Sequence, residues 1–377
     1  MKRVLIYGMT QNQGGIESFI LNYYRNIDRE KLQFDFICNY EGTVAYEKDL
    51  VELGARVFRV SPRRKKPIRF RKELKELFEQ HSKEWCAVWM NVCILGNIDY
   101  LVYAKKYNIE KRIIHSHNSG NMGSNHRGEL QHVINKRRIQ KYATDFWACS
   151  ESAAKWFYNS SIIKKVKIIN NAIDVSRYSF SARKRAGIRE KLGADANTYI
   201  IGNIGRLHFQ KNQMFSLNVF SKYKENNPNS MLVFVGQGDD EESLRKKSVE
   251  LGIDKDVVFA GVRSDIDAWL SAFDLFLFPS VFEGLSVVAL EAQANGVPVL
   301  AAEEVSPDIL KINGNYHTMS LERQDVEWAQ MIKSIKEIEK RESADLIKDG
   351  FTSAGFIIEE EAKALENFFT EKGTDSR

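Results

Sequence analysis

A chain of 377 residues, 43% hydrophobic and 28% charged, is too long for one ordinary core and has the balance of a globular protein rather than a disordered or membrane-embedded one. The net charge of +5 suits acidic ligands, anionic lipid or plain solubility and chooses among none of them. Four scattered cysteines, Cys38, Cys86, Cys93 and Cys149, exclude a paired zinc framework and a disulfide-stapled secreted domain, so a reducing cytoplasm is expected.

The opening MKRVLIYGM reads as a first strand, because the polar QNQGG follows too soon for a signal-peptide core. No run approaches the roughly 18 apolar residues of a membrane-spanning helix, so any membrane contact is expected to be peripheral. Short apolar, β-rich runs at 4–7, 33–38, 56–60, 87–90, 112–115, 145–149 and 167–169 alternate with helical patterns, which predicts a parallel α/β sheet. A second series at 199–203, 231–235, 257–260, 275–278 and 298–301 predicts another. Helices are expected at 16–27, 213–226, 241–251, 266–273 and 286–295 from apolar residues every three or four positions. A last amphipathic helix at 359–369 is expected to fold back onto the first domain. The domain limits read as 1–185, 186–350 and 351–377.

Open parallel sheets bind ligands outside the carboxyl ends of their strands, and the informative residues fall there. Gly14 and Gly15 follow the first strand and open a helix, which fits either a ligand approaching the backbone or a tight turn needing positive φ. The pair is not the G-x-G-x-x-G fingerprint, which weakens a nicotinamide or flavin reading. The segment 63–72 puts seven cations, Arg63, Arg64, Lys65, Lys66, Arg69, Arg71 and Lys72, into ten positions, suiting an anionic lipid surface or a merely solvated loop; no RNA-binding signature accompanies it, so nucleic acid is not expected. His115 and His117 end a strand.

Farther along, GRLHFQKN places Arg206 and Lys211 in a loop that opens a helix, a pairing that suits a diphosphate. In FPSVFEGLSVVALEA, Glu283 lies between a buried strand and a helix starting near Ser286, whose free amides form a metal-free phosphate site. Glu291 sits in that otherwise apolar helix and needs a hydrogen-bonding partner, either structural or a diol such as ribose. Asp265-Ile266-Asp267 imitates a metal-chelating Asp-x-Asp pair, but Asp265 reads as a helix N-cap and Asp267 as a complement to the dipole.

GGIE, GRLHFQKN and the Glu283 to Glu291 motif together resemble the family 4 retaining glycosyltransferases of the GT-B fold, in which two Rossmann-like domains face each other across a cleft. RIIHSHN, NNAID and GFIIEEEAKALENFF resemble in particular the bacterial exopolysaccharide and capsule branch. The resemblance implies that Arg206 and Lys211 hold the donor diphosphate, Glu283 the donor sugar and Glu291 the ribose. It further implies that the backbone of Gly284, Leu285 and Ser286 caps the phosphate and that Gly15 lets the first domain close over it. A histidine, His117 in preference to His115, is implied to face the sugar or acceptor; where many relatives carry another histidine this chain has Met90-Asn91, so Asn91 makes that contact or it is lost.

The expectation is a metal-independent hexosyltransferase that needs no cofactor beyond a substrate nucleotide sugar, UDP by resemblance. Its acceptor would be a lipid-linked saccharide in surface polysaccharide synthesis, with the protein cytoplasmic or peripheral on the inner membrane face. Two rivals are a sugar-nucleotide 2-epimerase of the same architecture and a non-catalytic nucleotide-sugar sensor.

Overall fold

The structure, a computed structural model, describes residues 1–118, 126–283 and 285–371, and of residues 126–129 the backbone alone. The chain forms two compact units. The first comprises Met1–Ala172 and the residues from Ile358 onward, the second Ile173–Ile357.

The first unit is built on a seven-stranded parallel sheet: β1 (Lys2–Tyr7), β2 (Leu32–Cys38), β3 (Arg56–Arg59), β4 (Trp85–Val92), β5 (Lys111–Ser116), β6 (Asp145–Ala148) and β7 (Val166–Ile168). Its spatial order is β3-β2-β1-β4-β5-β6-β7, so the order reverses beside β1. Helices on both faces bury the strands on both sides, and all seven residues of β2 are buried. One of them is charged. Asp35 accepts from Arg3, Arg56 and the Trp85 indole, and those donors outweigh burial to hold its carboxyl below the ordinary range.

The second unit carries β8 (Tyr199–Ile204), β9 (Ser230–Val235), β10 (Val257–Phe259), β11 (Leu275–Phe278), β12 (Val299–Ala302) and β13 (Tyr316–Met319) in the order β10-β9-β8-β11-β12-β13. The order reverses beside β8. Each unit therefore has a topological switch point, β1/β4 and β8/β11, where such sheets open a ligand crevice. Glycine is forced at the end of β1 and at the end of β9, the other neighbour of β8. Gly8, at φ +130°, would put a β-carbon 2.1 Å from the Asn91 carbonyl oxygen, and Gly236, at φ +136°, one 2.0 Å from that of Gly205.

The chain enters the second unit at 173, not near 185, for a packing reason. The short helix Val175–Tyr178 and the helix Ala182–Lys191 lie on helices Val287–Asn295 and Ile266–Ala272, and Arg185 and Arg189 both bind Asp274. The return falls at 357/358 rather than 351, since Phe351 and Phe356 belong to the second core. The helix Ile358–Thr370 then packs Ile358, Ala362, Leu365 and Phe369 into the first core against the helix Gly15–Asn26. Its recurrence every three or four residues is the amphipathic stripe that the sequence displays.

Candidate functional site

In the second unit, β8 delivers the chain to Gly205 and then to the loop that carries both cations. A 3₁₀ turn, Phe209–Lys211, and a left-handed Asn212 (φ 56°) lead into the helix Gln213–Lys224. This loop is bound to the one after β11: the Val281 N–H donates to the Gln210 carbonyl at 2.8 Å, and Gln210 Nε2 donates to the Phe282 carbonyl at 2.9 Å. Lys211 Nζ consequently meets Glu283 Oε1 at 2.6 Å, with side chains only 14% and 10% exposed, and lies 5.2 Å from the centre of the Phe278 ring. Sequence reasoning assigned Lys211 and Glu283 separate tasks; the fold makes them partners.

Arg206 takes another carboxylate. Its Nη2 donates to Asp239 at 3.0 Å, with the two side chains 65% and 81% exposed. An ion pair this open contributes about 0–1 kcal/mol, so an arriving phosphate can readily displace it.

Leu285 and Ser286 are buried at the start of the helix Val287–Asn295; Gly284 lies outside the described residues. Ser286 occupies the N-cap position, yet its side chain takes no cap hydrogen bond, which leaves first-turn amides for a ligand.

Glu291 lies on this helix, and its partner is Tyr178, a residue that motif reading passed over. Asp174 of NNAID accepts from the Arg177 amide and caps the short helix Val175–Tyr178, which brings the tyrosine to the carboxylate. Burial pushes the Glu291 carboxyl up to about 7, against the Tyr178 hydrogen bond and the nearby Arg177 charge. Raised above its unfolded value, this carboxyl costs stability increasingly as pH climbs from about 4.5 through 7. Glu291→Gln should therefore melt like the parent at pH 5 and higher than it at pH 8, as scanning calorimetry would read. Equal melting temperatures at pH 8 would contradict a strained carboxylate.

In the first unit, Gly14 is the N-cap of helix Gly15–Asn26, and Glu17 of GGIE is a structural residue: its Oε1 accepts from both the amide and the hydroxyl of Thr10 at 2.8 Å. Gly15 is exposed, lacks positive φ, and a β-carbon there would meet nothing within 4 Å. The tight-turn reading thus has no support at Gly15. Gly15→Val should leave the melting temperature unchanged while lowering turnover with a nucleotide sugar at least tenfold if a ligand needs that space; unaltered turnover would remove Gly15 from the site.

His117 Nε2 lies 2.8 Å from Asn91 Oδ1, so the two alternatives read from the sequence form one unit. With that oxygen accepting, Nε2 carries the proton and Nδ1 remains an acceptor. Burial lowers His117 to about 3, and it lowers His115 too, helped by its neighbour; both rings are neutral at pH 7. His115 is wholly buried and stacked on Trp89, and neither ring nitrogen has a partner among the described residues.

Asp265 does hold the N-cap position of helix Ile266–Ala272, but its side chain accepts from the Trp269 indole at 3.2 Å instead of capping, and Asp267 pairs with Lys184. Of the seven cations in the basic run, four are paired: Arg63 with Asp99, Lys66 with Glu41, Arg69 with Glu73 and Lys72 with Glu76. No helix among the described residues is long and apolar enough to cross a membrane.

Residues 184–365 match the sequence family "Glycosyl transferases group 1". Over 98% of this chain and 96% of its own length, EpsF of Bacillus subtilis (strain 168), a protein named as a glycosyltransferase, is 29% identical. The UDP-Gal:alpha-D-GlcNAc-diphosphoundecaprenol alpha-1,3-galactosyltransferase of Escherichia coli is 32% identical over 40% of this chain and 38% of its own. Among solved structures, Anabaena Alr3699/HepE in complex with UDP-glucose superposes with a TM-score of 0.77 at 19% identity, covering 98% of this chain and 100% of that one, a likeness of fold that places the two sheets in the GT-B class. Over residues 184–365, the chain thus carries a glycosyl transferases group 1 domain.

Proposed function

We propose that the protein is a family 4 retaining glycosyltransferase that moves a sugar from a UDP-sugar to a lipid-linked saccharide during surface polysaccharide synthesis. The observation that carries the donor half is the group of Lys211, Glu283, the uncapped amides of helix Val287–Asn295 and Glu291, all within the matched domain. Lys211 and Arg206 bind the diphosphate, the backbone at Leu285 and Ser286 adds amides, and Glu291 accepts from the ribose hydroxyls. Glu283 positions Lys211 and binds the sugar. His117, neutral and with Nδ1 free to accept, suits a hydroxyl donor on the sugar or acceptor.

The acceptor half draws on the Escherichia coli relative, whose name states a diphosphoundecaprenol acceptor, and the UDP assignment on that name and on the HepE complex. A lipid-linked acceptor would keep the protein cytoplasmic and peripheral at the inner membrane face.

A thermal-shift panel of nucleotide sugars tests the donor, since the best ligand raises the melting point most by mass action. Incubation with that donor alone tests the chemistry: an epimerised sugar nucleotide would indicate an epimerase, and binding without turnover in any acceptor extract would indicate a sensor. Ribose hydroxyls donate to the ionised form of Glu291, so UDP-glucose affinity should rise between pH 6 and 8 and become flat in Glu291→Gln. A flat profile in the parent protein would detach Glu291 from the ribose.

A further inference from the structure

At the carboxyl edge of the first sheet, beside the β1/β4 switch point, lies a cavity of about 400 Å³, within the range of small-molecule sites. Strand ends furnish it: Tyr7 closes β1, Asn39 follows β2 and Val92 closes β4. Its third side is the segment after β3, which contributes Arg63, Arg64 and Lys65.

The charges here differ from those in the rest of the basic run. Arg63 is held by Asp99 at 2.7 Å, whereas Arg64 and Lys65, both exposed, enter no ion pair among the described residues. Three cations less one carboxylate leave a net charge of +2 around the cavity. Neutral amides line it as well. Asn39 is half-buried, and Asn97 has its Oδ1 accepting from the Asp99 amide at 2.9 Å and its buried Nδ2 without a partner among the described residues. Pro62, Val92 and Ile94 add an apolar wall.

We propose that this cavity is a second anion site, which takes a diphosphate ester. A neutral sugar has no use for two free cations, and a phosphodiester brings one negative charge, whereas a diphosphate diester brings two and has oxygens for forked arginine donors and amide N–H groups. The apolar wall accommodates the ester's hydrocarbon. A flat anionic membrane fits less well, because the helix Pro67–His81 spends Arg69, Lys72 and Lys75 on Glu73, Glu76 and Glu79 and, among the described residues, keeps only Arg71 of its Lys and Arg side chains outside an ion pair. The chemistry of the site stands on the cavity alone; its physiological ligand, the diphosphate of a lipid-linked acceptor, rests on the proposed function.

The test is calorimetric titration of the full chain with inorganic pyrophosphate, in the parent protein, in Lys211→Ala and in Arg64→Gln/Lys65→Gln. The exposed Gln replacements should leave the melting temperature unaltered. Pyrophosphate binding that persists in Lys211→Ala and falls at least tenfold when Arg64→Gln/Lys65→Gln is added supports the second site. Equal affinity with and without the two replacements overturns it. So does loss of sedimentation with phosphatidylglycerol vesicles in Arg64→Gln/Lys65→Gln without any change in pyrophosphate binding, which would make the segment a membrane contact. UDP is titrated in parallel: absent UDP binding by the parent protein would sink the donor reading and leave the pyrophosphate result standing.

Discussion

Lys211→Ala should slow sugar transfer by roughly 10²-fold or more, and Arg206→Ala by a similar factor, because each cation stabilises leaving-group charge that grows in the transition state. Such a factor corresponds to about 2.7 kcal/mol of barrier. The two variants should differ in how they fail. Arg206 is mostly exposed and, among the described residues, pairs only with exposed Asp239, so its removal costs at most about 1 kcal/mol in the resting protein and the loss is chiefly catalytic. Lys211 neutralises Glu283 within 2.6 Å in a largely buried pair, and its removal leaves that carboxylate uncompensated next to an incoming diphosphate. A double-mutant cycle should show this coupling: Lys211→Ala combined with Glu283→Gln should lose less activity than the product of the single losses. Near-normal kcat/KM in both single alanine variants would remove the diphosphate assignment.

The parallel sheets were legible because doubly covered strands are continuous apolar runs, as in LFLF and VLAA, too short for a helix and bounded by turn residues. β13 was not. Its YHTM is short and polar, with only Tyr316 buried, and lies at the sheet edge next to β12, where one side needs no apolar cover. Most site residues could be found from motifs because they follow a strand at the carboxyl edge of its sheet, His117 after β5 and Arg206, Lys211 and Glu283 after the switch-point strands β8 and β11. Their pairings could not, since they depend on contacts across dozens of residues: Lys211 with Glu283, Glu291 with Tyr178 and His117 with Asn91. The short helix Val175–Tyr178 shows the same limit. Four residues give no periodicity, so the domain limit fell late and Tyr178 stayed hidden, although Asp174 three residues before the Arg177 amide was a usable capping signal. The basic run misled in another way. Written out it is one block of charge, but folding divides it into a helix, where Arg69 and Lys72 have i,i+4 partners, and a loop that faces a cavity.

Turnover should survive excess EDTA, with the anomeric configuration of an α-linked donor retained. Departure of a nucleoside diphosphate needs positive charge at its oxygens, and fixed protein charge can supply what a divalent cation supplies elsewhere. Arg206, Lys211 and the amide end of helix Val287–Asn295 are the groups proposed to do so, with the helix end worth roughly half an elementary charge. The stereochemistry follows from which groups can act as base or nucleophile. Inversion requires a base poised near the working pH to deprotonate the acceptor; His117, lowered to about 3, is too weak for that task, and Glu291, pushed up to about 7, is the group assigned to the ribose, away from the bond that breaks. Double displacement requires a free carboxylate, and Glu283 is engaged by Lys211. We propose, in line with the family resemblance, attack on the face the diphosphate leaves, with a phosphate oxygen taking the acceptor's proton as the glycosidic bond breaks. One reaction checks both expectations: NMR of the product formed from an α-linked donor with and without chelator. A β-linked product would overturn the front-side course, and activity lost to EDTA but restored by Mg²⁺ or Mn²⁺ would show that protein charge alone does not hold the leaving group.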